Sequence, residues 1–331
     1  MSGEQLTREI GRSDVTASAV GLGTWAIGGW MWGGTDEAES VAAIQASLDA
    51  GVSLIDTAPA YGLGRSEEIV GKAIAGRRDK AVIATKCGLV WHTQEGNHFF
   101  DQNGKAVHRY LGRASIIHEV EQSLRRLGTD HIDLYITHWQ DATTPIEETV
   151  AALEDLKRAG KIRAIGASNV NRSELQRYIK TGSLDAIQER YSMIDREIEA
   201  DLLPLTVADG VSTLSYSSLA LGLLSGTIGP DRVFSGDDQR KDHPRFSVAN
   251  RRKARSFAEA IRPVAERHGA SVAQTVIAWT LRQPGVTFAL CGARNPSQAL
   301  DNARAGTLRL SDEDLAAIET AVSVELANMD G

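Results

Sequence analysis

The stretch that decides the fold reads Ser53-Leu54-Ile55-Asp56-Thr57-Ala58-Pro59-Ala60-Tyr61-Gly62. It begins as a short apolar run of the kind that forms a buried strand, and it ends in a carboxylate and a turn bracketed by proline and glycine. A carboxylate at the end of a parallel strand, with a phenol five residues later, is placed for chemistry. Because a free phenol has a pKa of about 10, Tyr61 needs neighbouring groups in order to act as an acid or base at neutral pH.

The strand pattern of this stretch recurs along the chain. Amphipathic helical patterns lie between most of the strands, such as Val41, Ile44 and Leu48 before Gly51. Strands that alternate with helices over 331 residues predict an α/β fold, a (β/α)8 TIM barrel, as a single domain over residues 1–331. Within it, residues 1–18 are predicted to form an N-terminal tail and a small hairpin around Gly11. The eight predicted strands end near Leu22, Ile55, Thr85, Thr137, Ala167, Glu189, Tyr216 and Cys291.

Two connections are longer than the others, residues 88–113 after the third strand and residues 217–250 after the seventh. Long loops after barrel strands lie on the face where active sites are built. Residues 252–268 predict a helix after the second long loop, and Pro263 predicts a kink or a restart within it.

The bulk composition excludes several classes of partner. Lys and Arg number 36 against 43 Asp and Glu, a net charge of −7, which disfavours nucleic acid and anionic membrane surfaces. The first residues lack a signal pattern, and no apolar run is long enough to span a bilayer, so we expect a cytoplasmic protein. Cys87 and Cys291 lie far apart, and no disulfide framework is predicted. The sequence does not indicate the oligomeric state.

Two further polar residues stand at predicted strand ends. The third strand ends in Lys86 and the fourth in His138. Each alone is more often a solvated lysine or a structural histidine, but with Asp56 and Tyr61 they converge at the same end of strands two, three and four. An ammonium lowers the pKa of a neighbouring phenol, a carboxylate keeps the ammonium charged, and an imidazole can donate to a carbonyl oxygen. The four residues therefore predict a site that protonates a carbonyl while a cofactor supplies hydride.

The four residues Asp56, Tyr61, Lys86 and His138 resemble the catalytic tetrad of the aldo-keto reductase superfamily. The resemblance extends over nearly the whole chain, and Ile136 to Trp139 is similar to the fourth strand of bacterial NADPH-dependent members. It implies that Tyr61 is the general acid in reduction and the base in oxidation, that Lys86 lowers its pKa, that Asp56 orients Lys86 and that His138 positions the carbonyl. The motifs that carry it are Gly21-Leu22-Gly23-Thr24-Trp25, Asp56 to Gly62, Gly166-Ala167-Ser168-Asn169-Val170 and Gly292-Ala293-Arg294.

The resemblance also implies a nicotinamide cofactor, NADP(H), with NAD(H) as a second candidate. Side-chain amides suit the nicotinamide carboxamide, an aromatic face suits its ring, and the guanidinium of Arg294 suits a 2′-phosphate. The implied cofactor residues are Ser168, Asn169 and Gln188 at the carboxamide, Tyr216 on the ring, Ser217, Leu219 and Gly226 around the pyrophosphate, Arg294, Gln298 and Asn302 at the adenosine end, and Gly23, Thr24, Trp25, Asp56 and Gly292. We predict substrate contacts from Trp25, Tyr61, Trp91 and His138.

Other interpretations stay open for some of these residues. Ser168-Asn169 is also typical of a helix cap before Val170, Tyr216 of ordinary packing and Arg294 of a solvated helix start. Many relatives carry a lysine directly after the glycine that corresponds to Gly226. This chain has Thr227 there, so the charge for the pyrophosphate would come from elsewhere, with Arg232 and the Arg251-Arg252 pair as candidates.

Two further motifs are set aside. Gly21 to Ala26 matches GxGxxA, but no helix is predicted before about Thr35, which argues against a dinucleotide fingerprint of the Rossmann type. His92, His98 and His108 lack a carboxylate or cysteine at a regular ligand spacing, so no metal site is predicted.

The predicted function is an NADP-dependent oxidoreductase that interconverts aldehydes or ketones with alcohols, on small hydroxylated carbonyl compounds or polyols. One rival is a redox-sensing regulatory subunit that binds the cofactor with weak turnover, as in the related potassium-channel β subunits. The other rival is a TIM-barrel lyase that uses Lys86 as a Schiff base, which would leave Tyr61 and His138 without a joint purpose.

Overall fold

Eight parallel strands surrounded by helices build the protein. The computed structural model describes residues 4–327 and residue 329; the first three residues of the predicted tail, and residues 328, 330 and 331 of the predicted domain, lie outside the described part. The strands are β1 (Thr7–Glu9), β2 (Thr16–Ser18), β3 (Val20–Gly23), β4 (Leu54–Asp56), β5 (Val82–Cys87), β6 (Leu89–Val90), β7 (Asn97–Gln102), β8 (Lys105–Arg109), β9 (Ile132–Thr137), β10 (Ile162–Ser168), β11 (Ala186–Arg190), β12 (Ser212–Tyr216) and β13 (Phe288–Gly292). The helices are α1 (Glu37–Asp49), α2 (Arg65–Ile74), α3 (Arg113–Leu127), α4 (Ile146–Arg158), α5 (Arg172–Thr181), α6 (Ile198–Asp201), α7 (Leu203–Asp209), α8 (Val248–Arg267), α9 (Val272–Leu281), α10 (Pro296–Arg304) and α11 (Asp312–Glu325).

The barrel closes in the order β10-β11-β12-β13-β3-β4-β5-β9, with parallel register between every neighbouring pair. The prediction of a (β/α)8 TIM barrel is confirmed. Each barrel strand ends within two residues of its predicted end, because the apolar run of each strand stops where the chain leaves the barrel.

A hairpin covers the amino-terminal end of the barrel. Strands β1 and β2 pair antiparallel, and Ile10 and Val15 beside them join a buried cluster with inward-facing residues such as Leu54 and Leu134. Gly11, with φ of +56°, makes the turn possible, since a Cβ there would lie 2.1 Å from the carbonyl oxygen of Asp185. Apolar side chains therefore fill this end of the barrel.

The helices cover the outside of the barrel and bury their apolar faces against the strands. A buried cluster joins β4 and β5 to α1 and α2 through residues such as Ile44, Ile55, Ile69 and Ile83. Each such side chain contributes about 1.5–3 kcal/mol when fully buried. Helix α8 begins earlier than predicted and continues through Pro263 to Arg267. Pro263 lies on the exposed side of the helix, where water can satisfy the backbone carbonyl that proline leaves unpaired.

The two long connections differ in structure. Residues 88–113, predicted as a loop, contain a three-stranded antiparallel sheet in the order β6-β8-β7. Residues 217–250 contain three short 3₁₀ turns. A further 3₁₀ turn at Ala26–Gly28 lies where no helix was expected, and the first α-helix starts at Glu37. No helix in the described part of the chain has the length and hydrophobicity needed to cross a membrane.

Candidate active site

The four side chains of the predicted tetrad meet at the carboxyl-terminal end of the barrel. Asp56 ends β4, Lys86 lies near the end of β5, His138 follows β9, and Tyr61 lies in the turn between β4 and α2. The Lys86 ammonium donates to Asp56 Oδ1 at 2.7 Å, to the carbonyl oxygen of Thr57 at 2.9 Å and to the hydroxyl oxygen of Tyr61 at 3.3 Å. His138 meets the Tyr61 ring edge to face, with ring centroids 5.7 Å apart.

Burial controls the ionisation of these groups. Burial lowers the pKa of Lys86, and the Asp56 carboxylate opposes this shift. Burial and the Asp56 carboxylate raise the pKa of Tyr61 well above its ordinary value. Asp56 Oδ1 lies closer to the Lys86 ammonium than the phenol oxygen does, at 2.7 Å against 3.3 Å, so the two opposite charges act on Tyr61 together. Burial and Lys86 lower the pKa of His138 well below its ordinary value, so the imidazole is neutral at neutral pH.

The direction of these hydrogen bonds leaves the Tyr61 hydroxyl free to donate. The Lys86 ammonium donates its three N–H groups to Asp56, Thr57 and Tyr61. In the contact with Tyr61 the phenol oxygen is therefore the acceptor. The hydroxyl proton of Tyr61 is therefore available to a ligand in the cavity, and the ammonium lies where it would stabilise a phenolate.

A cavity of about 480 Å³ lies above the tetrad. Its walls near Tyr61 are aromatic: Trp30 stacks on Phe100 with ring centroids 5.0 Å apart, and Phe99 contacts Trp139 at 5.3 Å. Phe99 and Phe100 belong to β7, so the sheet after the third barrel strand supplies this wall. Sequence reasoning placed both residues in a loop and gave them no role, although adjacent aromatic residues after a barrel strand are a usable signal for a pocket wall.

Most of the predicted cofactor residues line this cavity, and three do not. Thr24 is buried and donates its hydroxyl to the carbonyl oxygen of Asp56 at 2.9 Å, whereas Asn302 donates to the carbonyl oxygen of Gly292 at 3.1 Å. Gly226 faces Val272 and Ala258. The predicted residues along the cavity are Gly23, Trp25, Asp56, Ser168, Asn169, Gln188, Tyr216, Ser217, Leu219, Gly292, Arg294 and Gln298.

Trp91, predicted to contact the substrate, lies outside the cavity wall. The chain turns away after β6, and Trp91 lines a separate depression with His92, His118 and Glu119. Phe99, Phe100 and Trp139 form the wall in its place.

Residues predicted to contact the nicotinamide carboxamide and ring form hydrogen bonds to the tetrad and to each other. Gln188 donates to Asp56 Oδ1 at 2.7 Å, Asn169 donates to the carbonyl oxygen of His138 at 2.9 Å, and Tyr216 donates to Asn169 Oδ1 at 2.8 Å. The interpretation of Ser168-Asn169 as a helix cap is wrong, because Asn171 caps α5 through a capping box with Glu174. Asn169 itself has φ of +56°, a left-handed conformation that asparagine tolerates better than most residues.

Two arginines line the cavity, Arg294 and Arg240. The arginines suggested by the sequence do not: the guanidinium of Arg251 donates to the carbonyl oxygens of Gly229 and Arg232, and none of Arg232, Arg251 and Arg252 lines the cavity. Sequence reasoning missed Arg240 because it lies in a run of mixed charges, residues 237–242, that is typical of a solvated loop.

The residues present fit a dinucleotide. Gly23 and Gly292 line the cavity, and a Cβ on either would find no heavy atom nearer than 3.8 Å, so both leave open space beside the backbone. Side-chain amides lie near the tetrad, and Arg294 lines the cavity beside Gln298. Among the described residues no cluster of three or more His, Cys, Asp or Glu side chains is arranged to hold a metal ion.

Comparison with known proteins gives the family. The model of the aldo/keto reductase family matches residues 19–323. The chain belongs to the aldo/keto reductase family. It is 45% identical over 309 residues to the aldo-keto reductase YhdN of Bacillus subtilis (92% of this chain, 90% of the relative). It is 42% identical over 311 residues to an NADH-specific methylglyoxal reductase of Escherichia coli (92% and 94%).

A solved structure agrees with this assignment. This aldo/keto reductase superposes on the glycerol dehydrogenase AKR11B4 of Gluconobacter oxydans with a TM-score of 0.87 and 40% identity, over 98% of this chain and 97% of that one. The two proteins therefore share the barrel from end to end.

Proposed function

We propose that this aldo/keto reductase is an NADP(H)-dependent oxidoreductase that interconverts aldehydes or ketones with alcohols. The observation that carries the proposal is the contact of Lys86 with both Asp56 and Tyr61 at the base of an apolar cavity. Two arginines along the cavity support a cofactor with several phosphates. NAD(H) stays a second candidate, since the E. coli relative is named as NADH-specific.

Tyr61, Lys86 and His138 have separate roles in the proposed reduction. When bound, the cofactor supplies hydride to the carbonyl carbon. Tyr61 donates its proton to the carbonyl oxygen, and Lys86 stabilises the phenolate that is left. Neutral His138 lines the same cavity and can donate an N–H to that oxygen. In oxidation the phenolate takes the proton back from the alcohol.

The apolar character of the aromatic cavity wall indicates which substrates suit the site. Trp30, Phe99, Phe100 and Trp139 present apolar surface, so a small carbonyl compound with an apolar remainder suits the site better than a polyol does. Methylglyoxal combines a carbonyl with a methyl group, and the E. coli relative is named for it. We therefore propose methylglyoxal first and DL-glyceraldehyde second among small substrates.

The lyase alternative has less support. A Schiff base requires a neutral amine with its lone pair directed at the substrate. Lys86 is fully buried, donates to three oxygen atoms and does not line the cavity.

The test of the proposal is the oxidation of NADPH, followed by absorbance, with methylglyoxal, DL-glyceraldehyde and benzaldehyde. We expect turnover with NADPH, and highest kcat/KM on substrates with an apolar remainder. Tight cofactor binding without turnover on any carbonyl compound would favour the regulatory subunit. Covalent trapping of a carbonyl compound on Lys86 by borohydride, without NADPH oxidation, would favour the lyase.

The raised pKa of Tyr61 and the lowered pKa of His138 predict the pH profile. Reduction needs Tyr61 protonated, His138 neutral and Lys86 charged, so kcat should be level upward from about pH 6.5, the ordinary pKa of histidine, until Lys86 loses its proton, which burial moves below its ordinary pKa. Oxidation needs the phenolate and should rise with pH over the range in which Lys86 stays charged. A reduction rate that already falls between pH 7 and 9 would show instead that Lys86 lowers the pKa of Tyr61 in the working complex.

A further inference from the structure

Three buried hydroxyl groups lie next to the tetrad, on Thr24, Thr57 and Ser66. Each of these residues is 0% exposed. Ser66 Oγ lies 2.7 Å from Thr24 Oγ1 and 2.9 Å from Thr57 Oγ1. Ser66, which belongs to α2, therefore links the turn after β3 to the turn after β4.

The number of protons gives this chain of hydroxyl groups a direction. The Thr24 hydroxyl donates its one proton to the carbonyl oxygen of Asp56 at 2.9 Å. The short contact between Thr24 and Ser66 therefore uses the proton of Ser66, whose Oγ also lies 3.1 Å from the carbonyl oxygen of Thr24. Thr57 then donates to Ser66 Oγ. The chain begins on Thr57 and ends on the backbone of Asp56, its neighbour in the sequence.

The two residues that this chain joins are those that hold the Lys86 ammonium. Lys86 donates to Asp56 Oδ1 at 2.7 Å and to the carbonyl oxygen of Thr57 at 2.9 Å. Because the hydrogen bonds through Ser66 close a ring on Asp56 and Thr57, they hold the backbone that carries both acceptors of the ammonium.

Ser66 also holds the turn that carries Tyr61. Its backbone N–H donates to the carbonyl oxygen of Tyr61 at 3.1 Å. Helix α2 has Gly64 at its N-cap and no side-chain capping bond, so the Tyr61 carbonyl satisfies one of the free N–H groups at the start of this helix. The next residue, Glu67, accepts the hydroxyl of Thr85 at 2.6 Å, which connects the start of α2 to the strand that carries Lys86.

The contact between Lys86 and Tyr61 depends on both sets of bonds. At 3.3 Å it is the longest of the three contacts that the ammonium makes. The hydroxyl of Ser66 acts on the side of the Lys86 acceptors, and its N–H acts on the side of Tyr61. Since the attraction between an ammonium and a phenolate weakens with distance, a change at Ser66 alters the part of the tetrad that transfers the proton.

We infer that Ser66 is a positioning residue that sets the distance between the Lys86 ammonium and the Tyr61 hydroxyl through Thr24 and Thr57. Ser66 does not line the cavity, so it acts on the reaction through its neighbours. The inference rests on the proposed function, because it assumes that Tyr61 transfers a proton to the substrate.

The test compares wild type with Ser66→Ala in kcat, in KM for the best carbonyl substrate of wild type and in Kd for NADPH. Alanine removes the hydroxyl and keeps the backbone N–H that donates to Tyr61. A small displacement of reacting groups costs up to about 10²-fold in rate, so kcat for reduction should fall by about 10- to 100-fold. KM and Kd should stay at their wild-type values, because the residues that line the cavity are unchanged.

Ser40→Ala is the matched control. Ser40 is also 0% exposed, and its Oγ lies 3.0 Å from Thr35 Oγ1, but it belongs to α1 and makes no side-chain bond to the tetrad among the described residues. It should lose resistance to denaturant as Ser66→Ala does and keep its kcat. Equal losses of kcat in the two variants would overturn the inference, as would a wild-type kcat in Ser66→Ala or a loss confined to KM.

Thr57→Val tests the same chain if Ser66→Ala folds poorly. Valine resembles threonine in shape and removes only the donor to Ser66, while the Thr57 carbonyl still accepts from Lys86. Its kcat should also fall. The double variant Thr57→Val/Ser66→Ala should lose less than the product of the two single factors, because both residues act through one chain of hydrogen bonds. A full product, or a wild-type kcat in Thr57→Val, would overturn the inference.

Crystal structures of wild type and Ser66→Ala give a readout that does not depend on turnover. The distance between Lys86 Nζ and the Tyr61 hydroxyl oxygen should be longer in the variant, and an unchanged distance would overturn the inference. If wild type reduces no carbonyl compound, the proposed function fails and this inference fails with it. If wild type turns over and Ser66→Ala matches it, only this inference fails.

Discussion

Replacing Tyr61 with phenylalanine is expected to lower kcat for carbonyl reduction by about 10²- to 10⁴-fold, the usual contribution of a general acid. The phenol oxygen accepts from Lys86, and its hydroxyl has no acceptor among the described residues, so its proton is available to a ligand. Phenylalanine keeps the ring, its stacking on Trp25 and its contact with His138. Steady-state NADPH oxidation gives the rate, and fluorescence titration gives the affinity for NADPH, which should be unchanged.

A matched control for this variant is Tyr178→Phe. Tyr178 is also a buried tyrosine, but it belongs to α5, its hydroxyl bonds to Gln140 and to Thr137 of β9, and it does not line the cavity. It should keep its turnover. Turnover by Tyr61→Phe at the wild-type rate would remove Tyr61 from the reaction, whereas loss of cofactor binding would show that its role is structural.

Replacing Lys86 with methionine is expected to damage both turnover and stability. The side chains of Lys86 and Asp56 are 1% and 6% exposed, and removing one member of a buried ion pair leaves the other charge uncompensated, at a cost of about 3–5 kcal/mol in the free energy of unfolding. The phenolate of Tyr61 also loses its stabilising ammonium, so kcat should fall by at least about 10²-fold. Denaturant titration and NADPH oxidation measure the two effects.

The double variant Asp56→Asn/Lys86→Met separates these effects. It removes both charges, so most of the lost stability should return, whereas the turnover should not. If turnover returned together with stability, Lys86 would serve the fold alone. A single Lys86→Met variant with wild-type unfolding would contradict the assignment of Lys86 and Asp56 as a buried ion pair.

The barrel was predictable because the apolar run of a strand is followed directly by polar residues, which mark where the strand ends. Apolar runs that end in Asp56, Lys86 or His138 mark the edge of the sheet, and the closed order of the strands follows from their alternation with helices. The sheet formed by β6, β7 and β8 was not predictable in the same way. Its strand β7 carries polar, exposed residues such as Asn97 and His98, so its pattern is that of a loop.

Site residues were predictable from the sequence where a polar residue follows an apolar strand. They were not predictable where a residue is positioned by contacts with residues that are distant in the sequence. Asp56, Lys86 and His138 stand at strand ends and Tyr61 in the turn that follows Asp56, so the sequence locates them. Arg240 acquires its position only through Asp238, Trp32 and the turn at Leu221, and nothing local marks it. The net rise in the pKa of Tyr61 also depends on how deeply the folded chain buries the phenol beside Asp56, which the local sequence around Tyr61 does not give.

The sheet that carries Phe99 and Phe100 has a consequence for how such an enzyme can diversify. It is inserted between β5 and α3, and its strands pair with one another rather than with the barrel. The proton-transfer residues stand on the barrel and on a different turn. Exchange of the hairpin formed by β7 and β8 between relatives would thus replace one wall of the cavity and leave the reaction chemistry intact. Substrate selectivity can therefore change through this inserted sheet while the residues on the barrel stay the same.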